Sequence, residues 1–563
     1  MVSDAGRQWV VAPPAPVGLR AALSDLHPVV LQVLYTRGLR TPEAVRAFLA
    51  GDGAPAHDPR QLYGMDRAVA RLRRALSEGE TVAAHGDFDV DGVTATAILT
   101  EGLRAAGGRV VPFLPQRSSA GYGLVPATVE RLAADGVSLI VTGDTGTRAS
   151  AAVARAAELG VDVVITDHHT PGEALPPAAA LVNPHQSGCP YPYKDLAGAG
   201  VAWKLIEALA LEGIVPGAVP EGLLDLVALG TIVDVAPLQG ENRVLVRRGL
   251  RRLEATQRPG LRLLLGNGER AVDERLVAFS IGPRLNAAGR MDDPHLALEL
   301  LMTRDRGRAA ALVRILEEKN AERQRLTEVA VAQARLLAEP LAAEPVLFLR
   351  GGAWPGGVIG LVAGRLADEY GRPVFVVDAG DETSRASGRG VAGNDLVAML
   401  AACDDLLLEY GGHAQAAGFA VRTADLDALG ERLLRASADA PPPAPPVAFA
   451  DQKLRVGDLD WDLYGALTPL RPFGEGNPVP TFFTPDLPIL EVRGVGAGGR
   501  HLRARLRFGR EVLTAFGPDL GARAGALAQM GRLDALYSVD AATWNGYESL
   551  ELRLVDVRPA GAN

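Results

Sequence analysis

His85-Gly86-Asp87-Phe88-Asp89-Val90-Asp91-Gly92 follows a short apolar run, Thr81-Val82-Ala83-Ala84, and precedes a helix-like run over 93–105. This reads as a strand, a tight turn and a helix. Three carboxylates and an imidazole stand at the carboxyl end of the strand, where open α/β sheets bind their ligands. The alternating aspartates Asp87, Asp89 and Asp91 repel one another. An acidic surface turn tolerates that repulsion in water; a divalent cation removes it. The stretch alone leaves both readings open, and the rest of the chain decides between them.

Outward from it, strand-like and helix-like runs alternate over about 65–235. Strands are expected at 81–84, 109–114, 139–141, 161–166 and 180–182, and helices at 65–77, 93–106, 126–134, 149–159 and 199–211. Such alternation means βαβ units around a mostly parallel sheet. Asp144 follows the third strand and Asp167-His168-His169 the fourth. Asp234 lies in Leu229-Gly-Thr-Ile-Val-Asp-Val-Ala236, an apolar stretch where a carboxylate without a partner is costly. Each alone reads as a cap or a turn residue; at consecutive strand ends they read as one binding site. Oxygen-rich donors with one or two imidazoles and no thiolate favour Mn²⁺, with Mg²⁺ the alternative and Zn²⁺ less suited. The carboxylates suffice for two ions, an arrangement that stabilises attacking and leaving oxygens in phosphoryl displacement.

The 563 residues exceed the usual size of one core, with 48% hydrophobic and 22% charged residues. The expected fold is two α/β domains joined by a long helix, plus a C-terminal OB-fold-like β-barrel. A helical leader is assigned to 1–55, the first α/β domain to 56–303, a connector helix and linker to 304–344, and the second α/β domain to 345–438. The Pro-rich 440–446 reads as a stiff linker, and 447–563 as the barrel. No apolar run is long enough to span a bilayer, and MVSDAGRQWVV lacks the layout of a signal peptide. Cys189 and Cys403 are distant and in no CxxC pattern, which points to two reduced thiols and a cytoplasmic protein. The net charge of −9 excludes global attraction to nucleic acid and leaves room for a local basic groove.

Gly86-Asp-Phe-Asp-Val-Asp-Gly92, Asp144, Asp167-His-His169 and Asp234 resemble the four motifs of the DHH phosphoesterase superfamily. Pro115-Gln-Arg-Ser-Ser-Ala-Gly-Tyr-Gly-Leu124, Pro283-Arg-Leu-Asn-Ala-Ala-Gly-Arg290, Gly411-Gly-His-Ala-Gln-Ala-Ala-Gly418 and Pro472-Phe-Gly-Glu-Gly-Asn-Pro-Val-Pro-Thr-Phe482 narrow this further. They are similar to signatures of the RecJ family of single-strand-specific 5′→3′ exonucleases, and the resemblance runs from about residue 20 to 558. It implies Asp89, Asp91, Asp144, His168 and Asp234 as metal ligands. It places His85 where related DHH pyrophosphatases carry a ligand histidine, Asp87 in support, and His169 against the scissile phosphate. The second α/β domain resembles the DHH-associated domain, with Ser387-Gly-Arg389 as its substrate loop and His413 in its Gly-Gly-His motif. Arg117, Tyr122, Arg284, Asn286, Arg290, Ser387, Arg389 and His413 then become contacts to DNA and its 5′-phosphate. Arginine suits phosphate because its planar fork donates two parallel hydrogen bonds.

Alternation in the barrel puts Arg503, Arg505 and Arg507 on one face of a strand, with Phe508, Phe516, Trp544 and Tyr547 as stacking or core aromatics. Two positions depart from the family. Pro355 replaces a histidine in Trp354-Pro-Gly-Gly-Val-Ile-Gly360, and Gly143 precedes Asp144, which predicts a looser strand end. The implied activity is two-metal hydrolysis of single-stranded DNA to 5′-mononucleotides in recombination and repair. A monomer is expected, working beside a helicase and a single-strand-binding protein. The competing readings are a DHH phosphodiesterase acting on oligonucleotides or cyclic dinucleotides and a non-catalytic single-strand-binding scaffold. The barrel argues against the first, and the complete ligand set argues against the second.

Overall fold

The computed structural model describes residues 7–51, 56–116, 123–266, 271–351, 354–437, 447–544 and 547–561. Arg117, Tyr122 and the Pro-rich segment 440–446 lie outside them. The described residues form two compact units, one within 57–236 and 248–444, the other within 1–56, 237–247 and 445–563.

The first unit opens with a five-stranded, all-parallel sheet of Thr81–His85, Arg109–Phe113, Leu139–Gly143, Asp162–Thr166 and Ala180–Val182. Its three inner strands read as near-continuous Val, Ile, Leu and Ala because helices cover both faces. In sheet position the strands run second, first, third, fourth, fifth. The order reverses between Thr81–His85 and Leu139–Gly143, and a crevice forms at such a switch point. The acidic stretch and Asp144 leave the sheet at that crevice. Gly143 is buried, and a Cβ there would come within 2.8 Å of the Ala95 Cβ. The bare backbone lets the Val90–Ala105 helix settle directly on the strand, so the strand end is tight rather than loose.

The helix after the acidic turn starts at Val90, three residues before the apolar run suggested, because the Asp89 side chain accepts a hydrogen bond from Gly92 N–H as its N-cap. Asp91 therefore sits in the first helical turn. Asp234 is not at a strand end. It closes the buried helix Leu224–Val233, whose apolar run has no polar face from which to read its period.

The Arg306–Ala338 helix, N-capped by Asp305, joins this lobe to a second α/β lobe. That lobe's mixed sheet runs Leu407–His413, Ala416–Arg422, Thr383–Arg389, Val374–Asp378, Leu347–Arg350, with the Gly356–Tyr370 helix packed on it. Three of these strands escaped the sequence reading. In Thr383–Arg389 the inward positions are the small Ser384, Ala386 and Gly388, so no bulky alternation announces a strand. Ser387 and Arg389 consequently lie on a strand rather than in a loop.

In the second unit, Phe482–Val495, His501–Phe508, Glu511–Gly517, Tyr547–Pro559 and Arg532–Trp544 close into a five-stranded barrel through the pairing of its first and last strands. The expected leader does not stand alone. Gln8–Val11 pairs in parallel with Val447–Ala450, and Leu19, Val29, Val33 and Leu34 join the barrel core. Both cysteines are buried and free.

Candidate metal centre and strand-binding surface

The crevice gathers side chains from four elements. His168 Nε2 lies 3.0 Å from Asp144 Oδ1 and 3.9 Å from both Asp91 Oδ2 and Asp234 Oδ2. Two groups of donor atoms result, Asp144–His168–His169 and Asp91–His168–Asp234, each with its atoms within 4.8 Å of one another. Buried polar atoms without hydrogen-bond partners concentrate here: His168 Nε2, Asp144 Oδ1 and both ring nitrogens of His85. A buried polar atom normally has a partner, because stranding one costs about 1–3 kcal/mol. Oxygen and imidazole donors stranded together in this way fit hard divalent ions.

Backbone geometry aims the carboxylates. Asp144 adopts φ 64°, a left-handed conformation that Asp tolerates better than most residues. Val235, next to Asp234, adopts φ 62°, which a β-branched residue takes only under strain. Asp91 is held by the N–H groups of Gly198, at 2.7 Å to Oδ2, and Ala199, at 2.9 Å to Oδ1. These donors open the Gly198–Leu211 helix, whose positive end favours a carboxylate. Gly198 is bare because a Cβ there would lie 2.6 Å from Asp144 Oδ1.

The charges crowd one another. Burial, then the Asp91 charge, raises Asp234 to about 8. Asp144 is raised well above the carboxylate range by burial and by Asp91 and Asp89. Burial also raises Asp91. His168 is raised because the surrounding aspartates, Asp234 and Asp91 first, outweigh its burial. Burial lowers His85 to about 4, leaving a neutral imidazole suited to ligation.

His169, a member of the first donor group, has different surroundings. Its Nδ1 bonds Asp167 Oδ1 at 2.8 Å, and although burial opposes the charge, that bond and the Asp167 charge lift it to about 9. The ring is therefore cationic at neutral pH, with Nδ1 committed. Asp167 also accepts from the N–H groups of His168 and Thr147. Burial opposes its charge too, but these bonds and both histidines hold it well below the carboxylate range. Asn183, fully buried, donates to Thr147 Oγ1 and the His169 carbonyl. Asp167 and Asn183 were not singled out from the sequence, although the DHH run contains the first. Gly198 escaped because a helix-starting glycine carries no chemistry of its own.

Asp89 and His85 stand outside the two close donor groups; Asp89 caps its helix, and the His85 ring stacks on Phe113 at 5.2 Å between centroids. Asp87 accepts from Phe88 N–H at 2.8 Å in the turn packed over Gly92. The Gly282–Met291 helix lies across this turn. Asn286 Oδ1 accepts from Val90 N–H, and a Cβ at Gly289 would strike the Phe88 carbonyl. Arg284 donates to Ser280 O and Oγ across a π-helical turn, Val277–Ile281. Arg290 Nη1 lies 3.4 Å from Gly357 O in the second lobe. Gly360, one turn on, faces Ser387 Oγ and Arg389 Nη2. Arg389 donates to Ser387 Oγ at 3.1 Å. The His413 ring lies parallel to that of His169, 6.2 Å away. The two lobes thus meet over the crevice.

In the barrel, Arg503, Arg505 and Arg507 alternate outward from Leu502, Ala504, Leu506 and Phe508, which are buried. Phe508 is core, not a stacking residue. The side chains of Trp544 and Tyr547, like Arg117 and Tyr122, lie outside the described set.

The crevice of carboxylates and imidazoles at the switch point defines a DHH-type protein, and the family models agree. The "DHH family, N-terminal domain" matches residues 81–231, the "DHHA1 domain" 343–437 and the "RecJ OB domain" 450–556. A Bacillus subtilis protein described as single-stranded-DNA-specific exonuclease RecJ is 34% identical over 559 residues, covering 98% of this chain and 70% of that one. The crystal structure of RecJ in complex with Mn²⁺ from Thermus thermophilus superposes with a TM-score of 0.85 at 35% identity, covering 99% of this chain and 80% of that one. The Mg²⁺ complex from the same organism superposes at 0.79 with 33% identity, covering 99% and 79%. The chain belongs to the RecJ family.

Proposed function

We propose that this chain is a metal-dependent exonuclease that degrades single-stranded DNA from the 5′ end to 5′-mononucleotides. The observation that carries the reading is the convergence of Asp91, Asp144, His168 and Asp234 donor atoms, with Asp144 Oδ1 and His168 Nε2 buried without hydrogen-bond partners, in a member of the RecJ family. Asp91, Asp144, His168 and Asp234, with Asp89 and His85 beside them, would hold two Mn²⁺ or Mg²⁺ ions. When bound, these ions supply an activated water and neutralise charge building on the phosphate.

The remaining chemistry belongs to the side chains. His169, kept cationic by Asp167, directs a charged N–H toward a phosphate oxygen, while Asp87 braces the turn. Ser387 and Arg389 receive the 5′-phosphate, with His413 beside them. Arg284, Asn286 and Arg290 line the path of the strand; Arg117 and Tyr122, outside the described residues, are assigned to DNA contact on the motif resemblance alone. Arg503, Arg505 and Arg507 give the barrel an exposed cationic strip for more distant phosphates. Among the described residues no helix is long and apolar enough to cross a membrane. The reading further places the protein in the cytoplasm as a monomer, serving recombination and repair beside a helicase and a single-strand-binding protein.

Digestion of 5′-labelled and 3′-labelled strands with Mn²⁺, Mg²⁺ or chelator tests this. Release of the 5′ label first, abolished by chelator and by Asp144→Ala, is expected. An Asp144→Ala protein that digests strands at the parental rate would remove the catalytic assignment. Dinucleotides cleaved in preference to long strands would favour the oligonucleotide phosphodiesterase.

A further inference from the structure

The Arg306–Ala338 helix buries a regular stripe: Ala309, Leu312 and Leu316 near its start, then Thr327, Ala330, Val331, Ala334 and Ala338. Spacings of three and four place all of them on one face. Between Leu316 and Thr327 that face is filled by Lys319, Asn320 and Arg323, all only partly buried. An apolar stripe that turns polar for two turns and then resumes marks a stretch of helix with no core beneath it.

Ion pairs locate the gap. Glu317 is 3.8 Å from Arg284 Nε, and Lys319 Nζ is 3.3 Å from Asp292, so the helix still touches the first lobe at residue 319. Ala330, Val331 and Ala334 pack in the core of the second lobe with Val358 and Val362. Arg323 stands between these contacts, where the helix crosses from lobe to lobe.

Lys319 has carboxylates, Asp292 and Glu322. Arg323 has none among the described residues; its partner is the neutral Asn320 Oδ1, 2.9 Å from Nη2, and its Nε is buried without a partner. Burial lowers its pKa from the usual arginine value, with no acidic group to offset the effect. A partly buried guanidinium whose partner is a neutral amide, with donors unspent, is arranged to receive an anion.

We propose that Asn320 and Arg323 grip a backbone phosphate of the DNA strand as it passes between the lobes, making the connector part of the binding surface as well as a spacer. This rests on the single-strand reading above. Arg323 is a positioning residue, acting on a phosphate removed from the one cleaved.

The test uses the full chain with Mn²⁺ and compares Arg323→Met, which keeps the apolar stem, with Arg323→Lys, which keeps the charge. Probes are a 5′-phosphorylated 20-mer and a 5′-phosphorylated dinucleotide. The dinucleotide's two phosphates are both taken by the end pocket and the metal centre. Arg323→Met should weaken 20-mer binding about tenfold and raise KM with kcat unchanged. The slope of log affinity against log salt should flatten by about 0.7, and dinucleotide turnover should be unaffected. Arg323→Lys should restore the slope. If the parental protein binds and degrades the 20-mer and Arg323→Met matches it in affinity and slope, the grip is wrong and the exonuclease reading stands. A loss shared equally by Arg323→Lys, with a lowered melting temperature, assigns Arg323 to packing and also overturns the grip. A parental protein that neither binds nor degrades the strand takes both readings down.

Discussion

Gly198→Ala offers a graded test of how tightly the crevice is built. The added methyl would lie 2.4 Å from Asp144 Cβ and 2.6 Å from its Oδ1. Restoring ordinary contact at about 3.5 Å requires roughly 1.1 Å of displacement. The Gly198 N–H also fixes Asp91 at 2.7 Å, so moving the helix start disturbs a second carboxylate. A misplacement of about 1 Å at a reacting centre costs on the order of 10²-fold in rate. Overpacking costs about 1–3 kcal/mol of stability, partly offset by the better helix propensity of Ala. Gly200→Ala is the matched control in the same helical turn, because its methyl would meet Leu196 at an ordinary 3.5 Å. Initial rates on a labelled single strand with saturating Mn²⁺, together with melting curves, read both effects. Gly198→Ala should lose roughly 100-fold in rate, while Gly200→Ala stays within about twofold. Equal rates for the two variants would show that Asp144 and Asp91 need no such placement.

Metal removal should couple stability to pH. Asp234 is raised to about 8 in the folded protein from an unfolded value of 3.8, so its contribution is fully present below 3.8 and lost as pH rises through 8. Calorimetry should show the chelated protein weakening across that window and added Mn²⁺ restoring more at pH 8 than at pH 5; a gap independent of pH would contradict this. Val235 is 64% exposed with a strained φ of 62°, so Val235→Gly should gain about 1 kcal/mol in denaturant unfolding. An unchanged or lower midpoint would mean the strain is relieved elsewhere. Replacing Arg503, Arg505 and Arg507 together with Ala should flatten the salt dependence of strand binding by about 2 in log–log slope, measured by anisotropy. A parallel shift with no change in slope would exclude phosphate contact by that face.

The sequence made the parallel sheet, the connector and the barrel strand Arg503–Arg505–Arg507 legible because each carries a distinct pattern. The inner strands of the parallel sheet are continuous apolar runs, the connector is a long charged amphipathic run ended at a Pro-marked break, and the barrel strand alternates strictly. The acidic turn, Asp144 and the DHH run were legible because such clusters recur at consecutive strand ends, where caps and turns alone do not account for them. Asp234 was misplaced because a helix buried on all sides has no polar face to reveal its period. Thr383–Arg389 was hidden because its inward residues are small. Gly143 and Gly198 illustrate a third limit. What they contribute is the space left by an absent methyl, and only the neighbours fixed by folding, Ala95 and Asp144, show what that space admits.

The pairing of Gln8–Val11 with Val447–Ala450 bears on how the chain is made. The first strand leaves the ribosome about 440 residues ahead of its partner, roughly 20–90 s at ordinary rates of synthesis. Over that interval the catalytic lobes can assemble, while the early strand carries an unsatisfied edge of the kind that recruits other chains. Birth order therefore runs opposite to assembly order: a strand synthesised early is among the last to find its place.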